Sequence, residues 1–332
     1  MKIQEIGEFA LIQSLRDLVC QSVTSAGDIT SELLLGIGDD AAAWYTTGTT
    51  ELATTDTMVE GVHFRHEFTS WQDLGWKAMA VNVSDIAAMG GRPTFTLVTL
   101  GLRPETNVED VHELYRGILS ACREYNCYIA GGDIVRASST FITIALIGVS
   151  DQSMLTRQMA RPGDLVAVTG SLGCAAGGLR ALAEGISLDG DSGDHLYQAL
   201  VHPIPRVKAG QALVSHGIQA AMDISDGLVD DLSKMCVSSG VGAVIYADSV
   251  PVHPSLKDAF PQDYLSFALN GGDDYELLFA GREEIIFRAV AMLGSSATVL
   301  GRIVVEHPGK VEVLHENGYG VQPTAGGWDH FR

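Results

Sequence analysis

Aspartate and glycine recur together in six short motifs along this 332-residue chain, "GIGDDA" (36–41), "TTDTMVEGVHF" (54–64), "NVSDIAAMGG" (82–91), "AGGDIVRA" (130–137), "MDISDGLVDDL" (222–232) and "NGGDDYELLF" (270–279). One such aspartate is ordinarily a solvated surface group or a helix cap, and Asp226 ahead of "GLVDDL" fits an N-cap. Six of them beside apolar strand patterns point elsewhere. Surface carboxylates need no neighbouring glycine, whereas turns that face a ligand do. Carboxylate oxygens without cysteine or histidine partners suit a hard cation such as Mg²⁺. Mg²⁺ keeps open positions for substrate oxygens, so several such ions imply bound phosphates. The two aspartates of "GIGDD" then make sense on a turn shaped for anions: they carry the metal, and the metal carries the phosphate.

Other phosphate and metal chemistries are absent. The ten histidines show neither HxH nor HExxH spacing, and no EF-hand loop is present. The single Gly-Lys, Gly309-Lys310, is followed by Val311, so there is no P-loop. "GIGDDA" satisfies the looser GxGxxA pattern, but Asp39 and Asp40 would face a pyrophosphate, and a strand pattern follows where a helix is required. The protein-kinase motifs are missing as well.

A formal net charge of −20 argues against nucleic acid or an anionic membrane as a partner held by charge. It also means that an anionic substrate needs cations to approach. The longest apolar run, "FITIALIGV", is far short of the ~20 residues of a membrane helix, and "MKIQEIGEF" lacks the apolar core of a signal peptide. A cytoplasmic protein is expected. The five cysteines form no CxxC pair and read as buried thiols.

Helix and strand patterns alternate, predicting an α/β (α+β) chain long enough for two domains. Helices are expected at "EFALIQSLRDLV", "WQDLGWKAMAVNVSDIAAMG" and "VEDVHELYRGILSACREY", the second stopped by Gly90-Gly91. Strands are expected at "ELLLGI", "AAAWYTT", "ELATTDT", "TFTLVTLGL" and "FITIALIGV". The pattern breaks at "SDQSMLTRQMARPGD", which predicts domains of 1–150 and 151–332. The second half repeats the style, with helices at "CAAGGLRALAEG", "PRVKAGQALVSHG", "GLVDDLSKMCV" and "EEIIFRAVAML" among strands "LVAVTG", "AAMDIS", "GAVIYA", "YELLFAG", "ATVLGRI" and "KVEVLHE". "EGISLDGDSGDHL" (184–196) reads as a polar surface loop.

In this order the six motifs resemble the thiamine-monophosphate kinase family, within the ATP-using superfamily of aminoimidazole ribonucleotide synthetase. The resemblance runs from "GEFALI" to "GGWDHF", essentially the whole chain. It implies an N-terminal domain whose sheet pairs across a homodimer, and a C-terminal α/β domain completing the cleft. It implies ATP and thiamine monophosphate as substrates, thiamine diphosphate as product and several Mg²⁺ ions as cofactors.

By motif, the resemblance makes Asp40, Thr54, Thr55, Asp56, Asp85, Asp133, Asp223 and Asp226 metal ligands, with Asp56 the most central of the "TTDT" group and Asp85 bridging several ions. It places Tyr115, Gly132, Asp133, Arg157 and Ser225 on the nucleotide, and His63, Asp273 and Trp328 at the thiamine phosphate pocket. Two of these depart from the family pattern: Asp273 stands where Glu is common, and Trp328 where Tyr is common. His63 also reads as a satisfied polar residue at a strand end, and Trp328 as an anchor for the tail. Lys77 and Asn82 share a helix pattern with Asp85 and receive no role.

The implied acceptor is a phosphate monoester, mostly dianionic at neutral pH, so no general base is required and no catalytic side chain is assigned. The expectation is direct in-line transfer by positioning and charge neutralisation, without a phosphoenzyme. Rival readings are another ATP-using enzyme of the superfamily, or a non-catalytic Mg²⁺- or nucleotide-binding protein.

Overall fold

Two mixed sheets, one from each half of the chain, face a common central helix. The structure, a computed structural model, describes Gln13 and residues 33–35, 38–46, 48–151, 153–188 and 190–321. Apart from Gln13, the expected helix at "EFALIQSLRDLV" lies outside the described residues, as does Trp328.

The first sheet holds β1 (Leu33–Leu35), β2 (Ala42–Thr46), β3 (Thr49–Val59), β4 (Arg92–Leu102), β5 (Tyr128–Arg136) and β6 (Phe141–Ser150) in the order β1-β2-β3-β6-β4-β5. All neighbours are antiparallel except β4 and β5. β6 alternates buried and half-buried residues along its whole length, the period-2 signature of a strand with one face on a core. That core is closed by α1 (Trp71–Ala88) and α2 (Val108–Glu124). Their crossing is too close for side chains: a Cβ on Gly75 would lie 1.9 Å from the Leu114 carbonyl oxygen, and one on Gly117 1.9 Å from that of Gln72.

The second sheet has the order β13-β12-β9-β11-β7-β10-β8, from β7 (Leu165–Thr169), β8 (Ala220–Ile224), β9 (Gly242–Tyr246), β10 (Glu276–Gly281), β11 (Ala297–Val304), β12 (Val311–Leu314) and β13 (Gly320–Val321). Its helices are α3 (Cys174–Glu184), α4 (Gly190–Val201), α5 (Val207–Ser215), α6 (Leu228–Ser239), α7 (Pro254–Ala259), α8 (Tyr264–Asn270) and α9 (Glu283–Leu293). α5 and α9 cover one face of the sheet, and α6 and α8 the other. β8 is buried throughout, which is why "AAMDI" is apolar without alternation up to its aspartate.

The alternating α/β reading holds, and every predicted strand and helix named above in the described region appears. The stretch expected as a loop, 184–196, is a correction. Helix α4 begins inside it at Gly190, because Leu196, Leu200 and Val201 recur at helical spacing and bury against α3. The expected polar loop is confined to the few residues before it.

α1 joins the halves. Of its 18 residues, 14 are buried, including Lys77, Asn82 and Ser84. It touches β3, β6 and α2 on one side, and α5 and β8 on the other. A helix buried all round needs a reason for every polar residue it carries.

Candidate active site

The polar residues of α1 meet three other segments. β3 crosses the helix with Thr54 and Asp56 on the near face, since alternate residues of a strand share a face. The Thr54 hydroxyl donates to Asp85 Oδ2 at 2.5 Å, and the Asp56 amide donates to Asn82 Oδ1 at 3.0 Å. One residue before Asp85, the Ser84 hydroxyl donates to Asp223 Oδ2 at 2.6 Å. Asp223 stands near the end of β8, so this bond crosses between the halves. Asp40, in the turn after β1, completes the group: carboxylate oxygens of Asp40, Asp85 and Asp223 lie within 4.8 Å of one another. Residues distant in sequence thus converge on one buried centre.

Its electrostatics are those of anions forced together. Burial, then Asp56, Asp223 and Asp40, push the Asp85 carboxyl well above the usual carboxylate range. Burial and Asp40 do the same to Asp223, against the Ser84 hydrogen bond. Asp56 is raised by burial and by Asp226, against a hydrogen bond it shares with Asp85. Asp39 is lifted to about 7 by burial and by Asp40. Among the described residues, the cation paired with this centre is Arg157. Its guanidinium is bonded to Asp40, and its backbone N–H lies 3.3 Å from Asp39 Oδ2. Burial opposes its charge, but Asp40, Asp223 and Asp39 outweigh burial and hold its pKa above the ordinary value.

The "DISDG" turn next to the centre is built by a residue the motif reading passed over. The buried Asp231 carboxylate accepts backbone N–H bonds from Ser225 (3.0 Å), Asp226 (3.0 Å) and Gly227 (3.1 Å). The N-cap of α6 is thus Gly227 and not Asp226, and the turn ahead of it is held by Asp231. Asp226 instead pairs with Lys234, which also bonds Asp230 (3.0 Å) and Asp231 (2.7 Å). Asp226 is therefore beside the three-carboxylate centre, not in it. Ser225 contributes backbone: its carbonyl accepts the Asp273 N–H at 2.8 Å.

The "GGDDYE" loop forms the other wall. Asp273 takes the Lys77 ammonium at 2.8 Å on Oδ2 and the Tyr275 hydroxyl at 2.8 Å on Oδ1. Burial works to raise the Asp273 pKa, but Lys77, Tyr275 and the nearby His63 hold it below the ordinary carboxylate value. His63 Nδ1 accepts the Val59 N–H at 3.0 Å, which leaves Nε2 as the protonated nitrogen of the neutral ring. His63 and Asp273, expected at one pocket, do lie together. Asp274 turns away and accepts the Gly173 N–H at 2.8 Å ahead of α3.

Other expected residues are elsewhere. The Thr55 side chain projects to the opposite, exposed face of β3, since it alternates with Thr54 and Asp56. Gly132 and Asp133 lie on the exposed edge strand β5, three strand spacings or about 14 Å from β3. Gly132 has a packing reason to be glycine, because a Cβ there would lie 1.9 Å from the Val98 carbonyl oxygen. Tyr115 packs on α2 against the first core.

The donor set fits a hard divalent cation. It is all carboxylate oxygen, and Asp40 Oδ2 is buried without a hydrogen-bond partner. An orphaned anionic oxygen is costly unless something positive reaches it.

Residues 38–150 match the family described as AIR synthase related protein, N-terminal domain, and residues 161–314 its C-terminal domain. The thiamine-monophosphate kinase of Bacillus subtilis (strain 168) is 34% identical over 310 residues, covering 91% of this chain and 95% of the relative. That of Aquifex aeolicus (strain VF5) is 34% identical over 338 residues, covering all of both. The solved structure described as AaThiL complexed with AMPPCP and TMP superposes with a TM-score of 0.84, at 33% identity over 99% of each chain.

Proposed function

The chain belongs to the thiamine-monophosphate kinase family, and from that premise we propose that it transfers the γ-phosphoryl group of ATP to thiamine monophosphate, giving ADP and thiamine diphosphate. One observation carries the reading. Asp40, Asp85 and Asp223 arrive from three distant segments at one buried centre, at the junction of the two halves.

The chemistry asks little of a proton-transferring group, because the acceptor oxygen is already anionic. The obstacle is repulsion between two polyanions. Asp40, Asp85 and Asp223 would hold Mg²⁺, with Asp56 and Asp226 alongside. The bound ions would neutralise phosphate charge and align donor with acceptor. Arg157 would pass its guanidinium from Asp40 to a nucleotide phosphate, for which its planar fork is suited. Thr54, Ser84 and Asn82 fix the carboxylates and the strand that bears them. His63 and Asp273 hold the acceptor from the other wall. Transfer is direct and in line.

The reading extends to a cytoplasmic homodimer of two-domain subunits. The exposed edge strand β5 supports the dimer, because Tyr128 on it, with its neighbour Phe95 and with Leu97 on β4, leaves apolar side chains of one sheet face in solvent. Gly132 and Asp133, remote from the centre of their own chain, lie on that same strand.

The test is ADP release in Mg²⁺ buffer with thiamine monophosphate, with thiamine, and with neither, the product being identified by chromatography. Turnover confined to the monophosphate, yielding thiamine diphosphate, is the expected result. ADP release independent of acceptor, or release driven by thiamine, overturns it.

A further inference from the structure

Lys77 is a buried lysine, only 5% of its side chain being exposed, in the middle of a helix whose neighbouring residues are apolar. Nothing in the phosphoryl-transfer scheme above uses it. A buried ammonium persists only beside a compensating charge, and here that charge is Asp273, 196 residues away in the other half of the chain.

The loop that delivers Asp273 is shaped for the task. Asp273 and Tyr275 both adopt left-handed backbone, with φ of 68° and 50°. For a tyrosine this conformation is unfavourable and needs fixing from outside. Four bonds fix it. The Asp273 N–H donates to the Ser225 carbonyl, and the Tyr275 N–H to that of Ile224, each at 2.8 Å. Asp274 accepts the Gly173 N–H, and the Tyr275 hydroxyl returns to Asp273. Ser225 and Ile224 belong to the turn that bears Asp223 and Asp226. The loop is therefore hydrogen-bonded to the metal-ligand turn on one side and ion-paired to α1 on the other. α1 carries Asp85 eight residues beyond Lys77, about 12 Å along the axis.

We propose that Lys77 is a positioning residue for the acceptor: its ammonium, with the Tyr275 hydroxyl, fixes the Asp273 carboxylate and so sets where the acceptor substrate lies relative to the carboxylate centre. Each Asp273 oxygen has one anchor, and about a third of the side chain stays exposed. A carboxylate held there in its ionised form suits a cationic thiazolium. Asp273 is a methylene shorter than glutamate, so its reach depends on being held in one place. Lys77 acts through Asp273 and touches no substrate. The inference rests on the kinase reading and deepens it.

The experiment compares Lys77→Met with the unsubstituted protein, measuring KM separately for thiamine monophosphate and for ATP. The acceptor KM is expected to rise about ten- to a hundredfold while the ATP KM changes by less than about threefold. Direct titration of thiamine monophosphate in the presence of a non-hydrolysable ATP analogue should show the same loss. Lys77→Arg, which keeps the charge, should recover part of the affinity. A fall in thermal midpoint with both KM values unchanged means a purely structural ion pair and overturns the proposal. If Lys77→Met does not fold, Tyr275→Phe removes the second anchor without changing charge. A selective rise in acceptor KM of about threefold or more then supports the proposal, and an unchanged value overturns it. Absence of turnover with thiamine monophosphate in the unsubstituted protein overturns the kinase reading and this inference with it. Turnover there, with an unmoved acceptor KM in the variants, overturns this inference alone.

Discussion

The carboxylate centre and the Lys77–Asp273 pair share one helix and bury aspartate in opposite ways. At the centre, Asp56, Asp85 and Asp223 are crowded by burial and by one another, and all three hold protons more tightly than free carboxylates do. Arg157 answers only part of that charge, through Asp40. At the pair, burial also works to raise the pKa, but a lysine ammonium reverses the sign of the shift. The difference lies in the counterion. One site carries its cation in the sequence, and the other is left short of positive charge until something binds. Like charges are held together at the carboxylate centre with one arginine beside them, whereas the Asp273 carboxylate is neutralised by a lysine of its own chain.

Asp85→Asn cuts that contrast most deeply. It removes the most crowded carboxylate, and turnover should drop by at least about 10²–10³-fold. The metal-free protein, relieved of one like charge, should melt no lower than the parent, and differential scanning calorimetry in EDTA measures this. A large fall in melting temperature would mean that the carboxylate is structural. The corresponding change at the pair, Asp273→Asn, should do the reverse to stability, because it strands a buried ammonium.

pH separates the two regions next. A carboxyl whose folded pKa is raised binds more protons folded than unfolded between its ordinary and its raised value. Stability is then fully present below the ordinary value and is lost as pH rises. For Asp39 that window runs from 3.8 to about 7, and Asp56, Asp85 and Asp223 act in the same direction. Metal-free protein should therefore lose on the order of a few kcal/mol between about pH 4 and pH 7. Mg²⁺ should flatten the slope and release protons as it binds. Asp273 has the opposite sign: its contribution is present above the ordinary carboxylate pKa and is lost as pH falls through its lowered value. Chemical denaturation across this range, with and without EDTA, checks both; a metal-free stability that climbs from about pH 4 to pH 7 would contradict the account of the centre.

How much of this was legible beforehand differs between the regions. The aspartates of the centre announced themselves by type, number and neighbouring glycines. Their supporting residues did not, because Ser84 and Asn82 look like ordinary polar residues of a helix until the second sheet arrives. Asp231 lies within its motif, and its place one turn into α6 was the available clue that it holds the preceding turn. Lys77 had no local signal, since its partner is 196 residues away. Strand alternation, by contrast, was readable and separates Thr54 from Thr55 without any structure. The glycines of "AGGDIV" conceal an edge strand, and "DGDSGDHL" conceals the start of α4, because polar residues at a helix start mimic a loop.

Ser84→Ala tests the bridge between the halves at the centre. It leaves Asp223 without its hydroxyl donor while keeping the helix propensity and volume of α1 close to the parent. A hydrogen bond to a charged group contributes about 1.5–3 kcal/mol, so turnover should fall at least about tenfold. Because Asp223 loses a bond that lowers its pKa, Mg²⁺ should also bind more weakly near neutral pH than in the parent. Unaltered Mg²⁺ affinity by calorimetric titration would remove Ser84 from the account.

The smallest effect is expected where two adjacent threonines differ only in the face they occupy. Thr54→Val removes the hydroxyl bonded to Asp85 and keeps the β-branched shape that β3 favours. It should cost about tenfold in turnover, for the same reason as at Ser84. Thr55→Val is the same chemical change one residue on, at an exposed side chain pointing away from the centre. It should alter turnover less than about twofold and stability by no more than about 0.5 kcal/mol. Parallel kinetic measurement of the pair is decisive because β propensity, volume and local sequence are matched, leaving the direction of the side chain as the one variable. Equal losses would mean that the face assignment of β3, and with it the approach of Asp56 to the centre, is wrong.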